Sequence, residues 1–160
     1  MKDKRTGIMA LVGLALFAAW IILRPAGVEL FGAGDLAALP RDEPIAIATL
    51  SEEVAEGRLC LVGPYRTDIA GESGMDRVFA AYLDPQIGVP EDAVAFLWRD
   101  GRRDAVELIG RDRADLLAET EATPRLERSD CVDIATGMIL VRSDDPMRIA
   151  IGSPAGAIGE

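Results

Sequence analysis

Histidine is absent from this 160-residue sequence, and its only two lysines, Lys2 and Lys4, lie at the extreme N-terminus. The first absence removes the usual general base near neutral pH, the commonest metal ligand and every Ser-His or Cys-His nucleophile pair. The second removes a Ser-Lys dyad from everything downstream. Also missing are a Cys-x-x-Cys motif, an internal repeat and any long polar or low-complexity tract. With 49% hydrophobic and 28% charged residues, the chain has the balance of a globular protein and is expected to fold. Its length suits one domain plus a short appendage.

Positive charge is scarce in most of the chain. The net charge is −10, yet Lys2, Lys4, Arg5 and Arg24 against Asp3 give the first 24 residues +3, which leaves −13 for the rest. A body this acidic repels phosphate backbones and anionic head groups, so nucleic acid is not an expected partner.

The basic start precedes an uncharged run of 17 residues, Gly7 to Leu23. As a helix it is roughly 25 Å long, enough to span a bilayer with help from flanking Thr6 and a snorkelling Arg24. Trp20 suits one interface, and the charged leader, residues 1–6, places the N-terminus in the cytoplasm. A cleaved signal peptide is the competing reading, but the run is long for one, and Arg24-Pro25 makes a poor exit. Residues 7–23 are therefore expected to be an uncleaved anchor in the inner, cytoplasmic membrane, with the C-terminal domain on the periplasmic or extracytoplasmic side. Ala15 and Ala19 form a small-xxx-small pair, a weak signal for helix pairing.

Residues 24–44, with three prolines and three glycines, read as a linker. Val28, Leu30, Phe31, Leu36 and Leu39 leave it two fates: to lie along the bilayer or to pack on the domain. The domain is expected over 45–152, with a small-residue tail at 153–160. Ile45 to Thr49 reads as a strand, Ser51 as the cap of a brief helix closed by Gly57, and Arg58 to Gly63 as a strand. Met75, Val78, Phe79, Tyr82 and Leu83 share one helical face. Ala93–Trp98 and Ala105–Ile109 read as a hairpin turned by Asp100-Gly101 in type I′ geometry, its first strand apolar on both faces and hence interior. Asp112 is placed to cap a helix running to Glu119, and 120–130 reads as a polar loop. Strands follow near Cys131–Ala135, Met138–Val141 and Met147–Ile151, with a turn from Ser143 to Pro146. The expected fold is α+β, mainly antiparallel, with one good helix on a face.

Cys60 and Cys131 are the only cysteines. In an exported domain they are expected to form a disulfide, the alternative being two buried free thiols. Gly71-Glu-Ser-Gly74 resembles a nucleophile elbow but has Met75 where that turn needs glycine, so Ser73 reads as a helix-capping turn. Asp130, Asp133, Asp144 and Asp145 offer hard oxygen ligands without the spacing of a calcium loop. Paired carboxylates for glycoside hydrolysis occur by chance in any acidic domain. No metal, cofactor or catalytic residue is assigned.

Contact residues are assigned instead. Arg99, Arg102 and Arg103, with Trp98 beside them, make a basic knob at the hairpin tip, and Tyr65-Arg66 is a second point. The leading expectation is a membrane-anchored, non-enzymatic binding or assembly module of the bacterial envelope, serving an envelope protein partner. The bacterial source is inferred from arginine replacing lysine throughout the domain. One alternative is an acidic inhibitor or immunity-type protein that covers a basic exported toxin or hydrolase, betrayed by salt-sensitive association. Another is an enzyme working with carboxylates alone.

Overall fold

Alternation along the strands sets the architecture. The computed structural model describes residues 30, 31, 33–69, 71, 72, 74–123 and 125–156. Their strands are β1 Ile45–Ala46, β2 Arg58–Val62, β3 Ala93–Arg99, β4 Asp104–Gly110, β5 Ala114–Leu116, β6 Leu126–Arg128, β7 Cys131–Asp133, β8 Met138–Arg142 and β9 Met147–Pro154. Two short helices accompany them, α1 Ala33–Ala38 and α2 Asp76–Tyr82. One sheet runs β4-β3-β2-β7, and the other runs β1-β8-β9-β5 with β6 also paired to β9. Among the described pairs only β5–β9 is parallel, so the fold is the mainly antiparallel α+β domain expected.

Period-two patterning buries both faces of the first sheet. Leu59 and Leu61 of β2, with Val94, Phe96 and Trp98 of β3, point toward the second sheet and meet Ile139, Val141, Ile149 and Ile151. The alternate residues Cys60, Val62, Ala95 and Leu97 point the other way, beneath Met75, Val78 and Phe79 of the α2 region. On the far side of the second sheet, Leu140 and Ala150 are covered by Leu117 and Leu126. Continuous apolar β3 is thus an interior strand covered on each side. The helical face read from Met75 to Leu83 is the one α2 buries, although Tyr82 stays 46% exposed.

Cys60 and Cys131 are bonded, with an S–S distance of 2.06 Å. They lie opposite each other on β2 and β7. Hydrogen bonds from Leu61 N–H to Asp130 C=O (2.9 Å) and from Ile134 N–H to Gly57 C=O (2.9 Å) flank the pair. The cysteines therefore occupy a non-hydrogen-bonded site, where facing side chains approach most closely, and their Cα atoms are 4.0 Å apart.

Of the two fates open to the 24–44 segment, its described part takes the second. Leu30, Phe31 and Leu36 join the core, Leu39 packs against it, and the Phe31 ring meets Phe96 edge-on at 4.7 Å. At the other end β9 continues through Ser153 and Pro154 on β6. The leader, the 7–23 run with Ala15 and Ala19, Ser73 and residues 157–160 lie outside the described residues. Among the described residues no helix is long and apolar enough to cross a membrane.

Four local expectations are corrected. The strand at Ile45 stops after two residues because Ile47–Thr49 winds into a 3-10 turn, in which Thr49 Oγ1 donates to Ala46 C=O at 2.7 Å. Ser51 accepts the Glu53 N–H at 3.2 Å, but no helix follows. The window before Gly57 is too short to repay nucleation. Residues after Asp112 form β5 rather than a helix, because β9 offers them a ladder. The expected 120–130 loop contains β6 for the same reason.

Candidate functional site

The hairpin tip falls one residue later than Asp100-Gly101. Asp100 and Arg103 face each other, Asp100 N–H donating to Arg103 C=O at 3.1 Å, and Gly101 carries the positive φ, +93°. Asp100 is spared that strained conformation. Its carboxylate turns inward to accept the backbone N–H groups of Arg103 (2.7 Å) and Arg102 (2.8 Å). Those two bonds, with help from the Arg103 guanidinium, hold its pKa down at about 2.

This geometry divides the expected contact residues. Trp98 is fully buried and is withdrawn from the surface: at i+4 from Val94 it shares the core-facing side of β3, and its indole N–H donates to Glu56 C=O at 2.9 Å. Arg99 reaches inward to Gly74 C=O at 2.6 Å. Arg103 lies over the Trp98 ring, 5.1 Å from its centroid, and bonds Asp100 at 2.9 Å. Arg102 is exposed, and no side-chain bond ties it to the described residues. Tyr65 is 63% exposed in a left-handed turn (φ +62°), and a hydrogen bond to Glu91, then burial, raises its phenol pKa. Arg66 pairs with Asp130 at 3.6 Å. Arg58 of β2 lies opposite Arg99 near the tip, whereas Tyr65 sits in the turn that follows the other end of β2 at Val62. The two assigned points do not form one site.

Other candidates are committed to structure. The carboxylates of Asp130 and Asp133 engage Arg66 and the Ala135 N–H (2.9 Å) respectively. Among the described residues, no group of three or more His, Cys, Asp or Glu could share a metal ion. A groove of about 340 Å³ opens between β5 and β6 over Leu61, Ile149 and Ile151. At its mouth, Arg128 is spent on the carbonyls of Leu117 and Ala118, and the Ser129 hydroxyl donates to Cys131 C=O at 2.7 Å.

The most available polar groups belong to a backbone edge that the sequence reading did not single out. β4 ends its sheet. The bonded pairs Asp100–Arg103 and Asp92–Arg111 flank the β3–β4 ladder, whose register is Trp98↔Ala105 and Phe96↔Glu107. Antiparallel alternation then turns Ala105, Glu107 and Ile109 toward β3, and directs the N–H and C=O groups of Asp104, Val106, Leu108 and Gly110 outward. The Tyr82 hydroxyl occupies Asp104 C=O (2.9 Å), and Arg113 N–H occupies Gly110 C=O (2.9 Å). The outward backbone groups of Val106 and Leu108 have no partner among the described residues. Leu108 is 47% exposed. Burial and the hydrogen bond to Asp104 raise the Tyr82 phenol pKa.

No relative decides the matter. Neither a family model, nor a curated protein, nor a solved structure matches the chain.

Proposed function

We propose that this protein is a membrane-anchored, non-enzymatic binding or assembly module of the bacterial cell envelope, tethered through residues 7–23 and presenting its domain to a protein partner. The observation that carries the binding reading is the β4 edge, whose outward Val106 and Leu108 backbone groups have no partner among the described residues, because unpaired strand edges recruit extended segments of other chains. Export is supported by the apolar run behind a basic leader, and by a buried disulfide of the kind that persists in oxidising compartments.

Two measurements on the full chain in bacterial cells test this reading. A C-terminal reporter that is active only outside the cytoplasm should be active, and the chain should stay with membranes after alkaline extraction. A photo-crosslinking residue at position 108 should give one discrete adduct, while one at exposed Thr49 should not. A reporter active only in the cytosol would remove the anchor. A folded chain with no adduct at 108 would remove the partner.

A further inference from the structure

Resting on the reading of the chain as a membrane-anchored binding module, we infer that the partner of β4 is β4 of a second copy, paired antiparallel about Val106, so that two four-stranded sheets join into one. The occupant of the edge is thus the chain itself.

The edge is its own complement in this register. Val106 faces Val106 of the other copy and exchanges both outward bonds with it, while Leu108 faces Asp104 and exchanges both with that residue. Asp104 C=O already accepts the Tyr82 hydroxyl, and its second lone pair remains for the Leu108 N–H. The other facing pair within β4 is Ala105 with Glu107, so no like charges oppose each other along the strand. Neighbouring registers are worse. Val106 opposite Leu108 sets Glu107 against Glu107, and Leu108 opposite Leu108 sets Asp104 against Asp112. Leu108 opposite Arg102 reaches a turn residue whose N–H is already bound to the Asp100 carboxylate at 2.8 Å.

Exposed apolar surface follows the same symmetry. Val106 packs toward α2, and alternation puts Asp104 and Leu108 on that side of the sheet. Tyr82 and Leu108, 46% and 47% exposed, stand at the two ends of this stretch, Tyr82 being fixed there by its bonds to Asp104. Two-fold pairing lays Leu108 of each copy beside Tyr82 of the other, and both are covered twice.

The tether agrees with this arrangement. Glu107 lies between Ala105 and Ile109 on the face toward the second sheet, and there it accepts the Phe31 N–H at 2.9 Å. A two-fold axis normal to the joined sheet keeps that face on one side in both copies. Phe31, near the start of the described chain, then lies on the same side in each, as two anchors in one bilayer require. Confinement in the membrane raises the effective concentration of the second copy, and repulsion between the two acidic bodies is screened over about 8 Å at physiological salt.

Full-length chain in phosphatidylcholine vesicles, carrying the photo-crosslinker benzoylphenylalanine at position 82, tests the pairing. Illumination should give an adduct of two chains that maps to the Leu108 region of the second copy. Leu108→Pro deletes the outward N–H without removing a β3–β4 bond, and Leu108→Asp opposes Asp104 twice. Each should cut the adduct by about tenfold or more with melting unchanged. Leu108→Lys should keep it, because lysine then faces Asp104. No two-chain adduct, an adduct mapping away from β4, a yield indifferent to Leu108→Pro and Leu108→Asp, or equal loss with aspartate and lysine would each overturn the inference. In cells, an adduct at 108 with a different protein leaves the binding module standing and fails only the self-pairing claim. A two-chain adduct from a chain whose reporter is active only in the cytosol does the reverse, removing the anchor and leaving the pairing.

Discussion

Removing the Cys60–Cys131 bond tests the architecture at its narrowest joint. β7 is three residues long and holds the sheet edge through a ladder to Arg58, Leu59 and Cys60. The bond closes a loop with a sequence separation of 71, and loop entropy then makes it worth about 4 kcal/mol through the unfolded state. For a domain of this size that corresponds to a melting point lower by about 10–15 °C. Both cysteines are buried, at 0% and 5% exposure, under Met75, Val78 and Phe79. A reductant should therefore reach the sulfurs only when this layer opens. We expect a Cys60→Ala/Cys131→Ala variant to melt about 10–15 °C below the parent, with hydrogen exchange rising first at Val132 and at the Ile134 N–H bonded to Gly57. In the parent, dithiothreitol should reduce the bond at a rate that follows the rate of opening. A melting shift of only a degree or two, or reduction within seconds under native conditions, would show that the bond is neither buried nor bracing β7.

Two further outcomes test the core and the tip. Trp98→Phe should lower urea stability by about 2 kcal/mol, because it leaves a gap in the inter-sheet core and strands the Glu56 carbonyl that now accepts the indole N–H. An unchanged urea midpoint would mean that the indole is not where the core places it. Asp100 carries a pKa near 2 in the folded state, below its ordinary value of 3.8, so its stabilising effect is full above about pH 4 and disappears as pH falls toward 2. Asp100→Asn should therefore melt below the parent at pH 7, and the two should converge in acid. A gap that widens in acid would contradict the sign.

How much of this was readable beforehand depends on the range of the forces involved. α2 was legible because its apolar face is written at i, i+3, i+4 spacing in contiguous sequence, and β3 because six successive apolar residues fit a strand buried on both sides. Trp98 carried a signal that was not used. At two-residue spacing from Phe96 and Val94 it had to face the core, whatever the neighbouring arginines suggested. β5 and β6 were not legible, since three residues such as Ala114–Leu116 become a strand only because β9 lies alongside. The tip moved by one residue because the Asp100 carboxylate captured two N–H groups, a local bond that turn statistics for Asp-Gly do not anticipate.

Strand order and length set β4 apart from the other sheet edges. The remaining edges of the two sheets are short: β1 has two residues, while β5, β6 and β7 have three each. Short edges present few free groups and need little further protection. β4 has seven residues and lacks that safeguard. Phe31, at the start of the described chain, donates its N–H to Glu107. The polypeptide coming from the proposed anchor therefore enters the domain beside this edge. A tether that holds β4 close to the membrane would restrict which extended segments can reach it, so position would help to select the partner.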